Sequence, residues 1–292
     1  MRIQETKMAI LLLLFLLLTR QSSAQSVVPQ IQLDYQDVPI GKKAINYMLM
    51  DFKVTKLDQE SDRQDAKTRK FFKKLEKIEA KRMELSEKYK RTKSVKEKRR
   101  IKENSRKYII KSMIKDIIPF WYGTPWYMGP DDDAEYPHQL GKRISCSNFI
   151  TAVLQNVGFV FDSRKKWADA RALYIQTSLA DKEQVQRYYG ITSRHFAKEL
   201  MKLTPGLYLV GLNCHIGFIL IKNNKAVFIH SNYVNPEVGV TAEAVEISQA
   251  IINSEGTGYW ITPLLNDDRL IENWLMKKPL ILKKMDLRYL YL

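Results

Sequence analysis

Cysteine is scarce in this chain, with two among 292 residues. That excludes a small domain stapled by disulfides. No Cys-x-x-Cys or His-Glu-x-x-His spacing occurs, so no zinc site, and no other cofactor, is expected. Long apolar runs are lacking too. The run at residues 8–18 is about 11 residues, against the roughly 20 that a membrane-spanning helix needs. No sustained heptad and no internal repeat is visible. Residues 62–104 hold neither Pro nor Gly. Acid is short relative to base, 32 Asp+Glu against 48 Lys+Arg, for a net charge of +16. What the chain does have is apolar residues, 45% of the total, which rules out a disordered polymer.

The first residues read as a secretory signal. Arg2 and Lys7 precede the apolar run, and Ser22, Ser23 and Ala24 offer small residues for cleavage after Ala24. The mature chain is then expected outside the cytosol, periplasmic or extracellular. No nucleic-acid partner is expected there. The absence of Cys at the cleavage point argues against a lipid anchor. The charge is concentrated: residues 51–116 carry 24 Lys+Arg against 12 Asp+Glu, and residues 117–292 carry 19 against 17.

Four segments follow from the pattern: a signal at 1–24, a lead-in and basic helical arm at 25–104, a compact domain at 105–276 and a tail at 277–292. Within the second, 25–40 read as extended, and 41–57 can form a helix. Residues 62–104 are rich in helix formers, with a short stripe of Phe71, Phe72, Leu75 and Ile78. The stripe fades beyond Tyr89, so the arm is expected to be a solvated projection. Its functional reading, over residues 60–104, is a tether to an anionic envelope polymer or lipid surface. Ile110, Met113, Ile114 and Ile117 define an amphipathic helix expected to stop before Pro119. Further helices are expected at 146–157, ended by Gly158, and at 164–178, 193–202, 242–253 and 267–276. Strands are expected at 206–212, 215–222, 225–231 and 258–263, with Asn223-Asn224 as a hairpin turn. Helices followed by an antiparallel sheet make an α+β domain. The tail reads as a strand or helix closing it.

Cys146 sits at a helix start with Ser145 placed to cap it. Unpaired N–H groups and the helix dipole favour a thiolate there. By spacing alone it is equally a small buried residue or half of a disulfide. A turn centred on Asn223-Asn224 makes His215 and His230 diagonal neighbours on one face of the sheet, with Gly217 leaving space between them. One can serve as base and the other can orient it. Cys214, neighbouring His215, is expected to point to the opposite face as a buried apolar residue.

Four motifs occur in order: Gly123-Thr124-Pro125-Trp126-Tyr127-Met128-Gly129, Ile144-Ser145-Cys146-Ser147-Asn148-Phe149, His215-Ile216-Gly217-Phe218-Ile219 and Phe228-Ile229-His230-Ser231. Over about residues 105–275 the chain resembles the NlpC-type cysteine peptidases of bacterial cell walls. That resemblance implies a papain-like fold, with the nucleophile's helix packed on an antiparallel sheet. It implies hydrolysis of amide bonds in peptidoglycan stem peptides or another amide-containing envelope substrate. By position Cys146 is the nucleophile, His215 the general base and His230 the orienting third member. Tyr127, Trp126 and Ser147 are candidates for positioning substrate or its oxyanion. Two departures matter: the family's Asp before the nucleophile is Ser145, and its Gly two residues after is Asn148. The alternatives are a thiol amidase or acyltransferase of the same fold on another substrate, and a non-catalytic envelope-binding protein.

Overall fold

The computed structural model describes residues 57–129 and 134–283, all within one compact unit. The expected signal, the extended lead-in, all but the last residue of the helix expected at 41–57 and the end of the tail lie outside the described residues.

The chain enters as a helical hairpin, α1 (Leu57–Arg91) and α2 (Val95–Ser112). Ser94 caps α2 by accepting from the Glu97 amide, which breaks the polar stretch into two helices at residues 92–94. The return brings Ile101 and Ile109 into one core with Phe71, Ile78, Leu85 and Tyr89, all at most 8% exposed. The expected solvated projection is therefore largely a docked hairpin, and the expected boundary near residue 105 falls inside α2. Ionic groups fasten it. Arg82 reaches the carbonyls of Trp274 and Leu275 at 3.4 and 3.2 Å. Arg106 binds Asp268 and the Leu265 carbonyl.

A π-helical turn, Met113–Ile117, leads into α3 (Ile118–Trp121). The helix does not stop before Pro119. Pro119 occupies the first turn of α3, where its missing N–H costs nothing, and the π turn resets the ladder ahead of it.

Next come α4 (Cys146–Asn156), β1 (Val160–Phe161), α5 (Arg164–Ala168) and α6 (Ala172–Leu179). Gly158 follows α4 with φ +102°, as its expected stop role requires. The single helix expected over 164–178 is two. Then follow β2 (Gln186–Tyr188), α7 (Ser193–Leu200), β3 (Gly206–Leu212), β4 (His215–Lys222), β5 (Lys225–Ser231) and β6 (Val240–Ala244). The chain described ends with α8 (Gln249–Ile252), β7 (Tyr259–Pro263), α9 (Asp268–Met276) and β8 (Pro279–Leu280).

The sheet has six strands in the order β2-β7-β3-β4-β5-β6, every pair antiparallel. Asn223 and Asn224 sit at φ 52° and 54°, the left-handed pair that a two-residue hairpin turn needs. The β4–β5 register runs Phe218↔Ile229 to Lys222↔Lys225, as expected from the turn. Two corrections apply. Residues 240–244 form an edge strand where a helix was expected from 242. In the tail, β8 pairs in parallel with β1.

Both faces of the sheet are buried, each by its own core. Leu209, Phe218 and Ile229 join the large core with α4, the hairpin and α9. Val210, Ile219 and Phe228 join a second core with Phe196 and Leu200 of α7. Each such side chain contributes about 1.5–3 kcal/mol on burial.

Candidate active site

Three devices place Cys146. Ser145 caps α4, its hydroxyl accepting from the Asn148 amide. Phe149, one turn on, packs edge-on against Phe218 of β4, ring centroids 5.8 Å apart. Ser231 of β5 donates to the Ile144 carbonyl at 2.7 Å and pins the chain just before the cap. The first residue of the helix therefore lies at the beginning of β4.

Cys146 is half-buried. Burial pushes its thiol up. The Ile216 N–H, the Ser147 side chain and the N–H groups of Ser147 and Cys146 pull the other way and do not cancel it. The expected thiolate is thus not the resting form: loss of water around the sulfur outweighs the helix start. The sulfur still meets the backbone amide of the residue that follows His215. Ser147 is turned aside, donating to the Ala170 carbonyl at 3.0 Å with its hydroxyl 4.0 Å from the sulfur.

His215 and His230 are together as the register demands. His215 Nε2 lies 2.8 Å from His230 Nδ1, and both rings are at most 2% exposed. Gly217 makes this possible: a Cβ there would stand 2.4 Å from the Phe228 ring and 2.9 Å from His230 Cβ. Phe228 stacks on His230 at 4.1 Å. Burial, with His230 adding to it, holds the His215 imidazole well below its ordinary range, so it is neutral.

The histidines project from the face that carries Phe228, while α4 packs on the face that carries Phe218. The two sets meet at the first residues of β4. Among the described residues no hydrogen bond joins Cys146 to either histidine. The structure brings His215 to His230 and brings Cys146 to the backbone beside His215. Hydrogen bonds of catalytic pairs are often long before substrate binds.

Sequence reasoning missed two residues. Glu243 on β6 places a carboxyl oxygen 3.3 Å from His230 Nε2. Its signal was the period-two alternation of Val240, Ala242 and Ala244 with Thr241 and Glu243. Tyr233 covers His215 at 4.8 Å and meets Trp126 at 6.3 Å. Trp126 thus joins the rim, held by its amide to the Pro236 carbonyl at 2.9 Å. Gly239 admits this loop: a Cβ there would stand 2.0 Å from the Thr124 carbonyl oxygen. Tyr127 is 42% exposed and faces Arg143, not the histidines.

Cys214 is not a buried apolar residue. It sits in the β3–β4 turn at φ 55°, exposed, and both cysteines are free thiols. A Cys at a turn tip escapes the strand's alternation, and with it the opposite-face argument. Asn148 is buried with its Oδ1 accepting from Arg164 at 3.1 Å. Among the described residues no cluster of His, Cys, Asp and Glu could hold a metal ion, and no helix is long and apolar enough to cross a membrane. Comparison with protein-family models, with curated proteins and with solved structures finds no match.

Proposed function

We propose that the protein is an exported cysteine hydrolase of papain-like, NlpC-type fold that cleaves amide bonds, with peptidoglycan stem peptides as its substrate class. One observation carries this reading: a capped helix delivers the thiol to the amide of Ile216, next in the chain to His215, whose ring lies 2.8 Å from that of His230. The thiol starts protonated and the imidazole neutral, so proton transfer accompanies attack. Cys146 Sγ adds to the carbonyl carbon and its proton passes to His215. The amides of Cys146 and Ser147, which the Ser145 cap leaves unspent, receive the oxyanion. His215 returns the proton to the leaving amine as the C–N bond breaks. Water, deprotonated by His215, then opens the thioester and frees Cys146. Lacking an acid before the nucleophile, the site is not built to grip a substrate ammonium group at Ser145.

The hairpin's exposed Arg69, Lys70, Lys73 and Lys77 are the groups that would meet an anionic envelope polymer or lipid surface.

The test is digestion of purified peptidoglycan, with released fragments identified by mass spectrometry, alongside iodoacetamide labelling. Wild type should release peptides and, with His215 taking the proton of a thiol that rests protonated, label faster at Cys146 than at Cys214; Cys146→Ala should be inactive with its fold retained. Turnover by Cys146→Ala, or a Cys146 no more reactive than Cys214, overturns the reading.

A further inference from the structure

The hydrogen bonding around His230 has a direction, and the groups on its far side set it. Asn232 fixes one end. Its Oδ1 accepts the backbone amides of Val234 and Asn235 at 2.9 and 3.0 Å, so this side of the amide must be the oxygen. Its NH2 group therefore faces Glu243, donating to Oε1 at 3.0 Å. That oxygen is an acceptor already, and it is the same oxygen that meets His230 Nε2 at 3.3 Å. Two donors converge on it. Burial alone would raise the Glu243 carboxyl, but its hydrogen bonds, that with His230 foremost, leave it below its ordinary value, in the acceptor-only carboxylate form.

The rest follows by elimination around each ring. If Glu243 only accepts, His230 Nε2 carries the proton. A neutral His230 then has a bare Nδ1, which can only accept from His215 Nε2 at 2.8 Å. A neutral His215 with its proton on Nε2 has its lone pair on Nδ1, the nitrogen left for the thiol. A protonated Glu243 donating to His230 Nε2, or a doubly protonated His230, would turn the inner bond round: His230 Nδ1–H would donate to His215 Nε2, and His215 Nδ1 would carry a proton and could accept none. The β5–β6 ladder holds Glu243 in place, pairing it with Phe228, two residues from His230↔Thr241 and on the same face.

We infer that Glu243 is a positioning residue that fixes the tautomers of both histidines, and with Asn232 orients a Glu243–His230–His215 relay toward Cys146. This rests on the reading of Cys146 as nucleophile and His215 as its base. No proton needs to reach Glu243 during turnover; it sets a polarity.

The test reads tautomers directly, with no substrate. Long-range proton–nitrogen correlation spectra of uniformly nitrogen-15-labelled full chain, assigned with single His→Asn variants, distinguish Nδ1–H from Nε2–H rings. The expected result is Nε2–H for both His215 and His230; an Nδ1–H His215 overturns the inference. Glu243→Met removes the acceptor and should slow iodoacetamide labelling of Cys146 about tenfold or more, because a base in the wrong tautomer cannot take the thiol's proton. Glu243→Gln, whose amide oxygen Asn232 can hold toward His230, should restore both tautomers and most of the labelling. A folded Glu243→Met with wild-type tautomers and labelling overturns the inference. Should that variant fail to fold by circular dichroism, the wild-type and Glu243→Gln spectra decide. If Cys146 proves unreactive while the tautomers stand as stated, the hydrolase reading falls and the relay remains.

Discussion

Two carboxylate networks in this protein use the same bonds for different ends. At the hairpin, Arg82 is 5% exposed and its guanidinium meets Glu79 twice at 2.8 Å while capping the α9 carbonyls. Lys277 adds a third bond to Glu79 at 2.8 Å. Arginine is always charged and cannot accept, so every bond there has one possible direction. Such a network holds two elements together and can do nothing else. At the sheet, Glu243, His230 and His215 form a line of groups whose bonds can run either way. In such a line one acceptor at its end sets the direction of every bond, which a fastening network has no need of.

The largest expected effect separates these ends. Arg82→Ala should cost about 3 kcal/mol in urea unfolding, the low end for breaking a buried pair because Lys277 still meets Glu79. Labelling of Cys146 should be unchanged wherever the variant is folded. His230→Phe, which keeps the stack on Phe228 but strands His215 Nε2, should cost about 1–3 kcal/mol and nearly abolish the labelling advantage of Cys146. The comparison breaks if His230→Phe is the more destabilising variant and labels like wild type, since the histidine pair would then be another fastener.

A pH series should split the networks next. His215 is held well below its ordinary 6.5, so the unfolded chain takes up its proton first on acidification and stability falls below about pH 6.5. His138, lowered to about 4 chiefly by burial, adds a step of the same sign. Glu79 is lowered to about 2, chiefly by Arg82, so its contribution is complete above 4.5 and is lost as pH falls toward 2. Unfolding free energies between pH 8 and pH 3 should show His215→Gln flattening the first decline and Glu79→Gln flattening the second. Identical curves for His215→Gln and wild type between pH 7 and 5 would mean that His215 is not held neutral by the fold.

The sheet was legible because its signals are local. Asn223-Asn224 admits one register, and that register alone puts His215 and His230 on one face. The cap at Ser145 and the stop at Gly158 bounded the helix that carries Cys146 in the same way. Glu243 was lost because residues 242–253 are good helix formers, and propensity yields where an edge strand can complete a ladder. The hairpin was misjudged because residues 91–100 look solvated in one long helix. Two helices turned at Ser94 give those charges an outer face while Ile101 returns to the core, a tertiary fact no single window contains. That α4 and the histidines occupy opposite faces of the sheet is equally invisible to a local pattern.

The smallest effect gives the closest comparison, because one device serves both regions. Ser94 and Ser145 each cap a helix by accepting the amide three residues on, at 3.3 and 3.4 Å. Replacing either with Ala should cost about 1 kcal/mol, the usual worth of a Ser cap. At Ser94 the loss stays a loss of stability, since the freed amide of Glu97 is exposed and water replaces the hydroxyl. At Ser145 the freed amides belong to the turn that carries Cys146 and faces its sulfur. Fraying there should let the first residue of α4 swing away from Ile216 and slow labelling of Cys146 several-fold at a stability equal to that of Ser94→Ala. Two caps with matched thermal shifts and matched labelling would mean that helix position, not the cap itself, places the thiol.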